Sequence, residues 1–341
     1  MLLSHTALDR RARRNTVNKS RVLRIATRGS AQAQAQAGAV AQELAELHRG
    51  LNVELVLIET LGDKRADVPL HTMGGQGVFV KEVQRAVMTD AADIAVHSAK
   101  DLPASVVASS FASGFASDLE LSANLHLAAF CARRDPRDAL VGATLADLRP
   151  GATVATGSVR RSAQLAYVRP DLHFIELRGN IHTRLGKVPP DGAVVMAVAA
   201  LQILGLTDQI AEVLPVEPFV PSPGQGCVAI ECRVGDEWVA ELLAGLDDAT
   251  TRAAVEAERA FLAELGTGCS LPVGAYLENA GHGDELIGFL ARPDLARVLI
   301  RRVALPSASA STLVAGHTRL QVAASLAREL HDELHGEMSE S

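Results

Sequence analysis

Aromatic residues are scarce in this sequence. Only 3% of its 341 residues are aromatic, with a single Trp and two Tyr. Proteins that bind single-stranded nucleic acid use aromatic side chains as stacking platforms for the bases, so the composition argues against nucleic acid as a partner. It also means that the core has to be built from Ala, Val, Leu and Ile.

Cysteine is scarce as well, and no hydrophobic run is long. The four cysteines, Cys131, Cys227, Cys232 and Cys269, include no CxxC pair, and no histidine cluster has metal-ligand spacing, so no metal site is expected. In a chain of this size without a secretory pattern, reduced thiols in the cytosol are the ordinary expectation. No stretch reaches the roughly 18 to 20 apolar residues that span a bilayer, so no membrane partner is expected either.

The first residues carry an excess of positive charge. Residues 1–24 hold seven basic residues and one acidic residue, and no apolar segment of the secretory kind accompanies them. We interpret residues 1–21 as a disordered basic leader of a cytoplasmic protein. Plastid import is the alternative interpretation.

Apolar runs alternate with helical patterns from Val22 to about Pro223, which predicts an α/β fold with parallel strands. The pattern occurs twice, so we expect two α/β lobes around a cleft, similar to the lobes of periplasmic binding proteins. From Asp247 the order helix, strands, helix predicts a small α+β C-terminal domain. The expected domains are 22–132 with 218–240 (domain 1), 133–217 (domain 2) and 245–336 (domain 3).

Polar residues follow several predicted strands directly. A short strand over 94–97 leads into Lys100 and Asp101, and a strand over 153–156 leads into Ser158. Ligands bind at the carboxyl ends of strands in open α/β sheets. These positions are therefore candidates for a binding site in the cleft.

Eight segments, read together, carry a resemblance to a known family. They are RIATRGS at 24–30, GGQGVFVKEV at 74–83, ADIAVHSAKDLP at 92–103, DPRDAL at 135–140, TGSVRRSAQL at 156–165, LRGNIHTRL at 177–185, PGQGCVAIECR at 223–233 and AERAFLAELGTGCSLPVGAY at 257–276. In this order they resemble the porphobilinogen deaminase (hydroxymethylbilane synthase) family. The resemblance implies a monomeric transferase of tetrapyrrole and heme biosynthesis, which joins four porphobilinogen molecules on a covalent dipyrromethane primer and releases hydroxymethylbilane and ammonia.

The resemblance implies that Cys269 holds the dipyrromethane cofactor through a thioether. The chemistry suits the residue, because a thiolate is a soft nucleophile that attacks an electrophilic methylene. Taken without its motif, a free cysteine in a turn is more often a small buried packing residue.

Asp101 matches the family's catalytic aspartate. Loss of ammonia from porphobilinogen leaves positive charge on the pyrrole nitrogen, and a fixed carboxylate beside that nitrogen stabilises the charge. The same carboxylate can move the ring proton. Without the motif, an aspartate that shapes a turn beside Pro103 would be the ordinary interpretation.

The binding residues that the resemblance implies are mostly cations. Each pyrrole ring carries two carboxylates, and an Arg fork holds a carboxylate bidentately without losing its charge. Because the chain has a net charge of −7, such cations must be concentrated in the cleft. The expected cofactor-binding residues are Lys100, Thr156, Ser158, Arg160, Arg161, Arg178 and Arg184, and the expected substrate-binding residues are Arg28, Ser30, Gln36 and Phe79.

Two positions depart from the family, and two other functions stay open. Gln76 and Ile203 stand where many members carry cations, so elongation would depend more on the other arginines. Two lobes with an arginine cluster also fit a solute-binding protein, and the missing cations would suit an inactive relic that scaffolds a partner. A covalent adduct on Cys269 would distinguish the enzyme from both.

Overall fold

The structure, a computed structural model, describes residues 21–60, 80–103, 124–266, 271–279, 283–306 and 313–336, with side chains from 318 onward in the last range. The helices are α1 (Ala31–Leu47), α2 (Lys81–Met88), α3 (Val159–Val168), α4 (Ile181–Leu185), α5 (Val198–Ile203), α6 (Glu237–Leu243), α7 (Ala249–Glu264) and α8 (Leu313–His335). The strands are β1 (Val22–Arg28), β2 (Asn52–Ile58), β3 (Ile94–Ser98), β4 (Leu125–Phe130), β5 (Asp138–Val141), β6 (Thr153–Ala155), β7 (His173–Ile175), β8 (Ala193–Ala197), β9 (Glu212–Val213), β10 (Val228–Arg233), β11 (Val273–Asn279), β12 (Asp284–Ala291) and β13 (Val298–Leu305).

The first lobe is a mixed sheet. Over the described residues its strands follow the order β2-β1-β3-β10-β4, with β1 parallel to both β2 and β3. Strand β10 pairs antiparallel with β3 and β4, so the chain returns to this sheet after the second lobe. Helices α1 and α6 pack on the sheet through Val40, Leu44 and Val239, among others. Ser30 caps α1, since its side chain accepts from the Ala33 N–H.

The second lobe has the same plan. Its strands follow the order β7-β6-β8-β5-β9 in the described part of the chain, with β6 parallel to β7 and β8, and β5 antiparallel to β8. Strand β5 begins at Asp138. All four residues of this strand are buried. The α/β two-lobe architecture is confirmed.

A smaller unit follows in sequence. Strands β11, β12 and β13 form an antiparallel sheet, and helices α7 and α8 pack on it through Phe261, Leu326 and Leu330. This confirms the predicted small α+β domain. The other face of α7 contacts the first lobe, where Val255 packs beside Ala99 and Phe130. Among the helices that the structure describes, none is long and apolar enough to cross a membrane.

A buried carboxylate ties these units together. Glu258, in α7, accepts two hydrogen bonds from Arg133, at 2.6 and 3.1 Å. It also accepts from the backbone N–H of Gly224 at 2.8 Å and of Leu277 at 2.9 Å. These four hydrogen bonds surround a carboxylate with no exposed surface. They fix α7 against the two segments that join the lobes, one at Arg133 and the other at Gly224.

Candidate active site

The site is built around a single helical turn at the end of β3. The strand runs into a 3₁₀ turn over Ala99–Asp101, which presents the partly exposed side chains of Lys100 and Asp101. The Ala99 N–H donates to the carbonyl of Cys227 at 2.9 Å. The structure thus confirms that both polar residues lie at the carboxyl end of a strand, as the sequence predicts.

Gly224 lies against this turn in a way that requires glycine. Its φ is +72°, a conformation that other residues adopt only with strain. A Cβ at this position would lie 3.1 Å from Ala99 and 3.2 Å from the Lys100 nitrogen. The segment around Gly224, which crosses between the lobes, therefore packs directly on the turn and limits its movement.

Lys100 is the cation of the turn. Its ammonium donates to Gln225 Oε1 at 3.3 Å. Burial and the positive charge of Arg161 together lower the pKa of Lys100 to about 8, against the opposing charges of Asp101 and Asp138. A bound anion would raise this pKa, because it stabilises the charged ammonium. The environment of Lys100 therefore favours a negatively charged ligand.

Arg160 and Arg161 lie at the start of α3, and both are buried. Their guanidinium groups share one carboxylate: Arg160 Nη2 lies 2.7 Å from Asp138 Oδ2, and Arg161 Nη2 lies 2.8 Å from Asp138 Oδ1. Arg160 also donates to the carbonyl of Val220 at 2.7 Å. The two arginines hold the pKa of the buried Asp138 well below its usual range. One carboxylate between two guanidinium groups leaves a net positive charge.

Gln225 connects this cluster to the turn. Its amide donates to Asp138 Oδ1 at 2.8 Å, while its carbonyl accepts from Lys100 and, at 3.5 Å, from Arg161. The side chain is 1% exposed. Gln225 therefore brings the cation of the first lobe together with the arginine pair of the second.

Asp138 and Gln225 are site residues that the sequence analysis missed. Both lie inside quoted motifs, DPRDAL and PGQGCVAIECR, but neither was given a role. Asp138 had a detectable signal, because an acid directly before the apolar run Ala139–Val141 is expensive to bury unless it is paired. Gln225 had none, since its function depends on partners 87 and 125 positions away.

Arg178 and Arg184 lie beyond β7 and are partly buried. Arg184 donates to the carbonyl of Gly179 at 2.7 Å, and Arg178 pairs with Glu176 at 3.0 Å. Burial lowers the pKa of Arg184, and the charges of Arg161 and Arg178 lower it further, while Asp101 raises it. These mutual effects place the predicted cations of both lobes within electrostatic range of one another.

The predicted neutral groups have local roles in the structure. Ser158 caps α3 by accepting from the Arg161 N–H at 3.4 Å, and Thr156 accepts from the Ser158 N–H at 3.2 Å. Gln36 accepts from Ser98 at 3.1 Å and so joins α1 to the end of β3. Arg28 is the last residue of β1 and is partly buried.

Three of the residues singled out in the sequence lie outside the described residues. These are Cys269, Phe79 and Gln76. The three cysteines that are described are free thiols. Burial raises the pKa of Cys131 to about 12 and that of Cys232 to about 11, and it also raises the pKa of Cys227. Such thiols are poor nucleophiles at neutral pH.

The arrangement suits a ligand with several carboxylates. Burial lowers the pKa values of Lys100 and Arg184, and repulsion lowers them as well, from Arg161 in both cases and from Arg178 in the case of Arg184. Bound anions would relieve that repulsion. In the described part of the chain no group of His, Cys, Asp and Glu is arranged to hold a metal ion.

Comparison with known proteins gives consistent matches. Residues 23–241 match the family model described as porphobilinogen deaminase, dipyromethane cofactor binding domain, and residues 252–319 match porphobilinogen deaminase, C-terminal domain. The chain is 42% identical over 299 residues to porphobilinogen deaminase of Syntrophotalea carbinolica, covering 86% of this chain and 90% of that protein. It is 41% identical over 288 residues to porphobilinogen deaminase of Geobacter sulfurreducens, covering 83% and 86%.

Some solved structures are distantly similar to this chain. A TRAP periplasmic solute binding protein from Desulfovibrio salexigens is 15% identical with a TM-score of 0.40, covering 66% of this chain and 72% of that one.

Proposed function

Because this chain belongs to the porphobilinogen deaminase family, we propose that it deaminates four porphobilinogen molecules, joins them on a dipyrromethane primer and releases hydroxymethylbilane and ammonia. The observation that carries the proposal is the contact between the Lys100–Asp101 turn and the arginine pair through Gln225. It combines one partly exposed carboxylate with several cations, and the reaction needs both. A solute-binding protein would need the cations alone.

Cys269 is the proposed attachment point of the primer, through a thioether. The residue lies five positions after the end of α7, so it is at most roughly 18 Å of extended chain from that helix. The raised pKa values of the three described cysteines support the choice of Cys269 by contrast. When bound, dipyrromethane supplies the pyrrole carbon to which the first substrate unit is joined.

The cations are proposed to hold carboxylates of the primer and the growing chain. Lys100, Arg161, Arg178 and Arg184 carry the charge for this task, since their mutual repulsion is relieved by anions. Arg160 is paired to Asp138, Gln164 and Val220. It acts through Asp138, whose position sets that of Arg161. Thr156 and Ser158 contribute by ordering the start of α3.

The remaining predicted residues are proposed to bind the incoming substrate. Arg28 supplies charge at the end of β1, and Ser30 and Gln36 order the neighbouring start of α1. Phe79 is proposed to stack on a pyrrole ring. With Gln76 and Ile203 uncharged, these groups and the arginines of the second lobe carry the interactions with the lengthening product.

Asp101 is the proposed catalytic residue. As ammonia leaves porphobilinogen, positive charge develops on the substrate's pyrrole nitrogen, and a fixed carboxylate lowers the energy of that state. After the new bond forms, the same carboxylate accepts the ring proton or passes it on. The protein is also proposed to be cytoplasmic and monomeric. The free thiols of the described cysteines support the location.

Intact mass spectrometry tests the proposal directly. The purified protein is expected to exceed its sequence mass by one dipyrromethane, and peptide mapping is expected to locate the adduct on Cys269. Brief exposure to porphobilinogen should then add one to four further ring units. A protein that binds porphobilinogen without any covalent change in mass would instead be a binding protein, and the proposed function would be wrong.

Arg161 can be tested for a role beyond pairing with Asp138. Arg161→Leu is expected to lower the fraction of protein that carries the primer by about tenfold to a hundredfold. The reason is that carboxylates of the bound primer would lose charged hydrogen bonds worth roughly 1.5–3 kcal/mol. Arg160→Leu is expected to act in the same direction. Mass spectrometry of freshly purified protein measures the loaded fraction, and thermal unfolding measures the stability.

Arg169→Leu is the matched control. It removes an arginine of the same lobe that pairs with the exposed carboxylate of Asp171 at 2.7 Å and otherwise binds the carbonyls of Leu145 and Leu148. We expect a lower melting temperature with normal primer loading. An equal loss of loading in both variants would show that Arg161 serves only the stability of this lobe.

A further inference from the structure

Arg259 reaches from α7 to the turn that carries Asp101. Its guanidinium donates to the backbone carbonyl of Ala99 at 3.5 Å and of Leu102 at 3.4 Å, both from Nη1. Its Nη2 donates to the carbonyl of Pro103. The residue is 1% exposed and is among the largest fully buried side chains in the described chain. A single side chain of the third unit thus binds three carbonyls around the catalytic residue.

Two of these carbonyls need a donor from outside the turn. The Ala99 carbonyl accepts from the Leu102 N–H at 3.3 Å, whereas the carbonyls of Leu102 and Pro103 follow the last residue of the turn and have no N–H partner within it. An arginine offers five N–H donors in a planar fork, so it can bind several carbonyls at once. A shorter or uncharged donor would satisfy fewer of them.

The position of Asp101 depends on this backbone. No described side chain donates a hydrogen bond to the Asp101 carboxylate, although Lys100 and Arg184 interact with its charge. Its direction is therefore set by the turn, which is held by Gly224 and Cys227 on one side and by Arg259 on the other. A catalytic group has to be held within roughly 0.5 Å of its productive position, so loosening one side of the turn is costly.

Arg259 is an expensive residue to bury for packing alone. In the described part of the chain no carboxylate lies within ion-pair distance of it. Burial lowers the pKa of Arg259 to about 10, opposed mainly by the charge of Glu231. Glu231 is itself bound by Gln84, at 3.0 Å to each oxygen, and lies 3.0 Å from His97 Nε2. An apolar side chain would avoid this cost, but it would leave the three carbonyls without the guanidinium.

We propose that Arg259 is a positioning residue, which holds the Ala99–Pro103 backbone so that Asp101 stays aligned with the reacting pyrrole. It also links that alignment to α7, the helix that leads to Cys269. This inference rests on the proposed function. The same helix binds the crossing segment through Glu258, so adjacent residues of α7 fix the turn and the chain that packs on it.

The test compares turnover per loaded enzyme, since a merely structural residue would change only the amount of loaded enzyme. Arg259→Met replaces the side chain with an uncharged one of similar length, and Arg259→Lys keeps a charged donor. We expect Arg259→Met to lower the turnover number per primer-loaded molecule at least twentyfold with the KM for porphobilinogen within threefold. Arg259→Lys should keep an intermediate turnover number. Mass spectrometry gives the loaded fraction and the rate of each ring addition.

The control is Arg252→Met on the same helix. Arg252 pairs with Asp247 and Glu256 and binds the carbonyl of Ala128, away from the turn. The Arg252→Met variant should have a lower melting temperature and an unchanged turnover number per loaded enzyme. If Arg259→Met does not fold, the turnover number of Arg259→Lys per loaded enzyme tests the proposal in its place. Wild-type turnover per loaded enzyme in the folded variant, or a change in KM alone, would overturn the positioning role. Absence of turnover in the wild type would instead overturn the proposed function.

Discussion

Cys269→Ala is expected to yield a folded protein with the mass of its bare sequence and no detectable turnover. Alanine has no nucleophilic sulfur, so the primer has no covalent anchor. Cys269→Ser should behave the same way, because a serine hydroxyl is far less nucleophilic than a thiolate at neutral pH. Intact mass spectrometry and a hydroxymethylbilane assay measure both consequences in one preparation.

Cys232→Ala is the matched control for this experiment. Cys232 is a buried cysteine in β10, and burial raises the pKa of its thiol to about 11. Its replacement should cost about 1 kcal/mol of stability and leave loading and turnover intact. Undiminished turnover in Cys269→Ala would remove the assigned anchor and the covalent mechanism with it.

Asp101→Ala is expected to load the primer normally and to lower the rate of ring addition by about a thousandfold, within the range for loss of electrostatic and acid–base catalysis. The carboxylate is proposed to stabilise charge that exists only during the reaction, so its removal changes the rate more than binding. Loaded enzyme mixed with porphobilinogen and sampled by mass spectrometry gives the rate of the first addition.

Two further variants sharpen the interpretation. Asp101→Glu keeps the charge but displaces it by one methylene, and an intermediate rate is expected. Asp171→Ala removes an exposed carboxylate that pairs with Arg169 at 2.7 Å, and a normal rate is expected. Normal product formation by Asp101→Ala would contradict the charge-stabilising role. A failure to load the primer would show that Asp101 acts earlier than proposed.

The elements of the fold were predictable where the local pattern was strong. The two α/β lobes and the small α+β unit after them agree with the sequence-based expectations. Strand β5 and helix α6 were missed. Strand β5 has four residues and begins with a charge that resembles a hinge, and α6 has only seven residues behind a Gly-Asp turn. Short elements carry too few residues for a periodic signal and depend on the tertiary packing around them.

The sequence alone determined which chemical groups are available and in what order they occur. Its motifs indicated the family, the thiol at 269, the acid at 101 and the set of arginines, because these depend on residue identity and local spacing. Only the tertiary structure decided which groups meet. The pairing of Asp138 with both arginines, the bridge through Gln225 and the hydrogen bonds from Arg259 to the Ala99–Asp101 turn span from 22 to 160 positions along the chain. Such contacts form because burial forces polar groups to find partners wherever the fold brings them together, and no local pattern records those partners.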